Sequence, residues 1–201
     1  MANTESRLSM AIPYLLILGV IVMRVALINP YNIAPVFACL LFFAAMRPAR
    51  EFVLPLGALV GADIFITTHR YGYAINNDAA VTWTWYLIVM LLGANLLGNS
   101  RSWRRVAGCS LLASFSFFLV SNWAVWAVWQ MYPRTLAGLE TCYIAALPFF
   151  RNSLTSELCF SLLFFGLLSG AGVYRSSRRL SEIARLAANA GNYVGVNHGS
   201  V

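Results

Sequence analysis

Six apolar blocks, at about 10–28, 33–46, 52–67, 83–98, 106–129 and 154–174, alternate with polar connections, and this alternation constrains the fold more than any other feature of the sequence. A hydrocarbon core of about 30 Å is crossed by a helix of about 20 apolar residues, or fewer where protein covers the ends. Backbone polar groups find no water there, so each block is predicted to be a helix that satisfies its own hydrogen bonds. At 60% hydrophobic and 10% charged residues, the chain is too apolar for a soluble globule. The expected fold class is all-α integral membrane, with six transmembrane helices in a domain over 1–175. An Arg-rich tail over 176–201, partly disordered, follows it, and 180–190 reads as an amphipathic surface helix. The first block is long enough to span and lacks a small-residue cleavage site, so no cleavable leader is expected.

All fourteen basic residues are Arg, and the net charge of +7 invites a nucleic-acid reading. Their placement argues against it. Arg7, Arg47, Arg50, Arg101, Arg104, Arg105, Arg175, Arg178, Arg179 and Arg185 fall on one side of the alternating spans, and Arg70, Arg134 and Arg151 on the other. The positive-inside rule then puts both termini in the cytoplasm and makes anionic headgroups of the bilayer the partner of this charge. The connections after the first, third and fifth spans face outward.

Within the apolar blocks the charged residues are Arg24, Asp63 and Glu157. Charges in hydrocarbon are costly and normally face a partner or a cavity. Counted along their spans, all three are expected within roughly 6 Å of the outer interface, at 1.5 Å per residue. Asn122 is expected a little deeper. Polar groups from four helices that reach the same outer third suit a small-molecule pocket open to the outside. They equally suit an ion pair of Arg24 with Asp63 or Glu157 that staples the bundle, and the two readings are compatible. Around this layer, Trp83, Trp85 and Tyr86 read as an interfacial aromatic belt. Trp126 and Tyr132 flank the fifth connection and are placed to stack on a ligand. With Asn32 and Arg151 from the outer connections, the candidate site is Arg24, Asn32, Asp63, Asn122, Trp126, Tyr132, Arg151 and Glu157.

Catalytic and cofactor signatures are missing. Cys39, Cys109, Cys142 and Cys159 show no CxxC or Cys/His spacing, and no phosphate loop, HExxH or GxSxG occurs. His69 as a ligand to a cobalt-containing cofactor is chemically allowed, but a loop position favours a solvated side chain. No enzyme, metal or cofactor is expected. Gly57 and Gly61, four apart in the third span, permit close helix approach, either within the chain or between copies.

Several stretches carry a resemblance: Pro30-Tyr31-Asn32-Ile33-Ala34-Pro35-Val36, Leu54-Pro55-Leu56 with Asp63, Ser121-Asn122-Trp123-Ala124-Val125-Trp126, Met131-Tyr132-Pro133-Arg134, and Cys142-Tyr143-Ile144-Ala145-Ala146-Leu147-Pro148-Phe149-Phe150-Arg151-Asn152. Over about 10–172 they resemble a family of small, functionally uncharacterised bacterial inner-membrane proteins. At one remove, the length, six spans and short second span look like the substrate-binding S components of energy-coupling-factor vitamin transporters. That resemblance implies an S-component-like bundle that holds a vitamin-like solute near the outer face, with an energising transporter module as partner. S components commonly carry Ala-x-x-x-Ala on the first span for that docking, and 10–28 has none, so a solitary uptake protein fits as well. The competing expectation is a non-catalytic assembly or scaffold protein that takes no small molecule.

Overall fold

In the computed structural model, residues 2–26, 35–98, 102–129 and 131–170 are described. They form six α-helices and no strand: α1 Ala2–Ala26, α2 Val36–Met46, α3 Val53–Phe65, α4 Asn77–Leu97, α5 Trp103–Val128 and α6 Leu136–Gly170. A 3-10 turn, Ala49–Glu51, leads into α3, and a π turn, Ile66–Arg70, continues it. The segments Ala49–Arg70, Ala79–Leu97 and Trp103–Val128 are each long and apolar enough to cross a membrane. The described residues divide into two units, 13–165 and the combination of 2–12 with 166–170. The candidate site lies within the first. The C-terminal surface helix expected at 180–190 falls outside the described residues.

Helix α2 is the core of the larger unit. Its sequence, VFACLLFFAAM, has no polar side chain, and every residue from Val36 to Ala45 is buried. A helix that is apolar all round has no solvent face and must be enclosed. In a bilayer the lipid is as apolar as Leu, so enclosure comes from close packing and polar contacts more than from the hydrophobic effect. Both are present. A Cβ built at Gly93 of α4 would stand 2.8 Å from the Leu41 carbonyl oxygen, so α2 and α4 meet there backbone to backbone. Phe43 meets the Tyr14 ring edge-on at 5.1 Å, and Phe42 meets Phe165 at 5.2 Å.

Polar contacts hold α1 against α3 and its flanking turns. Tyr14 donates to Glu51, which also takes Arg47 Nε at 2.6 Å, at one end of α3. Arg70 donates to the Val25 carbonyl at the other.

Helices α5 and α6 form an antiparallel pair. Ser110 Oγ donates to Ser161 Oγ at 2.7 Å, and the Phe118 and Phe150 rings stack at 4.4 Å. Tyr143 donates to the Leu119 carbonyl at 2.6 Å. In the turn between them, Trp126 Nε1 donates to the Pro133 carbonyl at 2.9 Å, and Thr135 Oγ1 caps α6 by accepting the Gly138 N–H at 3.1 Å.

The pair corrects one expectation. The sequence reads as a connection over 132–152 with a new span from 154, but α6 runs unbroken through that boundary. Pro148 removes the N–H that would bond the Ile144 carbonyl, a local loss that a packed helix tolerates. Phe150, immediately beyond, is fixed against Phe115 and Phe118. Of the two readings of Gly57 and Gly61, packing within the chain is not seen among the described residues, where a Cβ at either meets nothing within 4 Å.

Candidate functional site

Three helices meet at a closed ring of polar groups. Arg24 of α1 pairs with Asp63 of α3 at 2.7 Å, Nη2 to Oδ1. Tyr86 of α4 completes the ring: its hydroxyl accepts from Arg24 Nη1 at 3.1 Å and donates to Asp63 Oδ2 at 2.9 Å. Tyr86 is 3% exposed, so the sequence reading of an interfacial anchor gives way to a buried bridge. It stands near the middle of α4, where one face of the helix turns to α1 and α3.

Glu157 has a different partner. Its Oε1 accepts the Phe37 N–H at 3.0 Å and its Oε2 the Ala38 N–H at 2.6 Å. These are orphan donors of the first turn of α2, which opens after Pro35 with no side-chain cap of its own. The carboxylate also sits at the positive end of the helix dipole. Of the two ion-pair possibilities for Arg24, the observed one is Asp63.

Two adjoining cavities open beside these groups. The smaller, about 140 Å³, is lined by Arg24, Val36, Phe37, Thr82, Tyr86, Phe117, Ser153 and Glu157. The larger, about 230 Å³, is walled by Phe37 and by two stripes, Ser114, Phe117, Phe118, Ser121 and Asn122 of α5 and Ala146, Phe149, Phe150 and Ser153 of α6. Phe37, Phe117 and Ser153 belong to both walls. From the level of Phe37 the larger cavity extends along the α5–α6 pair toward its turn.

The remaining candidates divide. Asn122 lines the larger cavity, with its Nδ2 donating to the Phe118 carbonyl at 2.8 Å. Asp63 stands behind Arg24 in the ring. Trp126 is engaged with the Pro133 carbonyl, and Tyr132 is half-buried in the same turn. Arg151 is exposed and lines a separate groove with Leu147, Pro148 and Asn152. Asn32 lies outside the described residues.

The position of Glu157 along its helix also differs from the expected one, three residues into a span. Glu157 stands in the second half of α6, on the order of 30 Å from its start at 1.5 Å per residue. Asn122 lies in the last third of α5. Sequence reasoning missed Thr82, Tyr86, Ser114, Ser121 and Ser153. Part of the signal was available, because Ser110, Ser114, Phe117 and Ser121 recur at i, i+4, i+7 and i+11, one face of a helix. Ala146, Phe150, Ser153, Glu157 and Ser161 recur in the same way on α6.

Among the described residues no group of three His, Cys, Asp or Glu side chains is placed to hold a metal. The four cysteines are free thiols. His69 is exposed, stacked on Phe65 at 4.9 Å with its Nδ1 2.8 Å from Thr68 Oγ1.

Comparison with known proteins gives one match. A family of unknown function, DUF6580, matches over residues 4–180, and the chain belongs to that family. No curated protein and no solved structure matches. None of these comparisons links the chain to the S components.

Proposed function

We propose that this member of a family of unknown function is a multi-pass membrane transport protein that binds a small organic solute between α2, α5 and α6. The observation that carries the reading is the pair of adjoining cavities with Phe37, Phe117 and Ser153 in common. Five helices contribute to their walls, and an apolar, aromatic enclosure with a few placed polar groups is the ordinary make-up of a small-molecule site. In this reading the chain crosses a bacterial inner membrane six times, α1 to α6, with both termini in the cytoplasm, as the Arg distribution favours. The arrangement is S-component-like: a vitamin-like solute enters from the outer side, and any energy source is a separate module. No catalysis is assigned.

Ring and cap change the roles expected of the charged residues. Arg24 and Asp63 satisfy each other through Tyr86, and Glu157 holds α2, so all three shape the site. Asn122 and the serines of α5 and α6 are the groups offered to the solute. Native mass spectrometry of the gently purified chain tests this: a stoichiometric small molecule released on denaturation, and lost from an Asn122→Ala variant that remains folded, supports it. An empty protein whose uptake phenotype is untouched by that variant removes Asn122 from the site.

A second reading, an assembly or scaffold protein, is favoured by the bare face of α3. Val53 is 74% exposed and Leu54 61%, and Gly57 and Gly61 have open space around them. Small residues facing outward suit a partner helix in the membrane. Loss of a co-purifying partner or second copy on Gly57→Leu, with no ligand recovered from the parent, would favour it.

A further inference from the structure

We infer that the larger cavity is built for an uncharged, flat molecule, one substituted aromatic ring or a fused pair, held by hydrogen bonds from Ser114 and its neighbours. This rests on the solute-binding reading above and narrows it to a substrate class.

Charge comes first. Among the described residues, the wall of the larger cavity has no Arg, Lys, Asp or Glu. The charged residues of the adjoining smaller cavity are Arg24 and Glu157, and each is already engaged. Arg24 faces Asp63 and the Tyr86 hydroxyl, while both Glu157 oxygens face N–H groups at the start of α2. A ligand anion or cation in the larger cavity would lose its hydration with no opposite charge to replace it, a cost that ordinarily excludes the charged form.

Shape comes second. Phe37, Phe117, Phe118, Phe149 and Phe150 supply most of the apolar wall. Aromatic rings in offset or edge contact gain more than their buried area alone would give. An apolar cavity of about 150 Å³ accommodates benzene, so about 230 Å³ admits a larger ring system. A sugar, with hydroxyls on every edge, would leave most of them facing phenyl rings.

The third observation is Ser114. It is 4% exposed and lines the cavity, and its Oγ, sealed from solvent as it stands, has no hydrogen-bond partner among the described residues, so reaching a ligand takes a turn about χ1. A buried hydroxyl without a partner is costly, so one is normally supplied. Ser121 and Asn122, two turns along the same helix, bond the Phe118 carbonyl of their own helix and present amide and hydroxyl edges to the same space. Three of the polar groups, Ser114, Ser121 and Asn122, thus lie on the α5 side, and the α6 side contributes Ser153 with Ala146, Phe149 and Phe150.

The test uses the full chain in lipid nanodiscs and ligand-detected NMR with four probes: benzamide, its anionic isostere benzoate, cationic benzylammonium, and the saturated cyclohexanecarboxamide. Ala146→Phe fills the cavity from its wall, and binding is read as the difference between parent and filled variant, which cancels partition into lipid. Ser121→Leu serves as the block if Ala146→Phe does not purify as a monodisperse protein. The expected result is saturable benzamide binding that the block abolishes, with the two ions and the saturated amide each about ten-fold weaker. Ser114→Ala should weaken benzamide by about five-fold, the effect of one lost hydrogen bond.

Benzoate or benzylammonium bound as tightly as benzamide, and blocked in the same way, would overturn the uncharged class while leaving the pocket in place. Equal binding of cyclohexanecarboxamide would overturn the aromatic part. Benzamide affinity unchanged by Ser114→Ala would overturn the role of that hydroxyl. No difference between parent and blocked protein for any probe would overturn this inference together with the solute-binding reading.

Discussion

Glu157 and Ala38 are 119 positions apart, yet the carboxylate oxygen of the first takes the backbone N–H of the second at 2.6 Å. The contact explains how α2 can begin inside a bundle. A helix start leaves orphan N–H groups, and hydrocarbon supplies no water to satisfy them. Pro35 has no N–H to add to the demand and no side chain able to answer it. A carboxylate from α6 does so with two oxygens. Replacing Glu157 by Ala should therefore destabilise the protein by about 3 kcal/mol, since two hydrogen bonds are lost and two buried donors are orphaned. Glu157→Gln keeps the shape and one acceptor and should cost roughly half as much. Reversible unfolding in mild detergent gives both values. An Ala variant as stable as the parent would mean that the cap contributes nothing.

The Arg24, Tyr86 and Asp63 ring predicts coupling. Asp63→Asn leaves a guanidinium in a largely enclosed place without its counter-ion and should cost about 2–3 kcal/mol, somewhat below a fully buried pair because both side chains keep some exposure. Asp63→Leu combined with Arg24→Met removes both charges, and the double change should cost less than the sum of its singles by about 1–2 kcal/mol. Tyr86→Phe should reduce that coupling, because the hydroxyl links both partners. Strict additivity in the cycle would show that the pair does not act as a unit.

Glycines of α3 and α4 separate by what surrounds them. At Gly93 a methyl would press on the Leu41 carbonyl oxygen at 2.8 Å and the Ala44 Cβ at 3.2 Å, so Gly93→Ala should destabilise by about 1–3 kcal/mol as α4 is pushed off α2. Gly57→Ala and Gly61→Ala meet nothing among the described residues, and should lie within about 0.5 kcal/mol of the parent or be slightly stabilising, because Ala is the better helix former. Unfolding midpoints of the three variants, measured side by side, decide it. A tolerated Gly93→Ala would mean that α2 and α4 are not in backbone contact.

Much of the helix order was legible because apolar blocks report element existence well. Arg24 and Asp63 were also identifiable as a possible pair, since charges inside apolar runs attract attention and each needs a partner. What Glu157 touches was not legible. Its partners are backbone N–H groups of Phe37 and Ala38, and a backbone donor leaves no mark on the sequence. Pro133 and Pro148 illustrate the same limit. Both look like breaks in the chain. Only the first lies between helices, in a turn that the Trp126 indole and the Thr135 cap stabilise. At Pro148 the phenylalanines that follow are fixed on α5, which carries the helix onward. Tyr86 was hidden for another reason: three aromatics in four residues at 83–86 look like an interfacial cluster, and depth along the helix separates them.

Helix order also makes the proposed sidedness testable. If Ala49–Arg70 crosses the membrane, Ala49 and Tyr71 must lie on opposite faces. Two further crossings, α4 and α5, return Met131 to the side of Tyr71. Ala49 lies beside Arg47 and Arg50, and the positive-inside rule assigns that face to the cytoplasm. Ala49, Tyr71 and Met131 are all exposed, so single cysteines introduced there should react without disturbing the fold. A membrane-impermeant maleimide added to intact cells should label Tyr71→Cys and Met131→Cys above the background of the parent's own thiols. Ala49→Cys should label after permeabilisation alone. The reverse pattern would invert the proposed orientation and place the α5–α6 turn, with the mouth of the larger cavity, in the cytoplasm. Labelling of Tyr71→Cys and Met131→Cys from opposite faces would be more damaging still, since it would require α4 or α5 to turn back within the membrane and would undo the six-span topology itself.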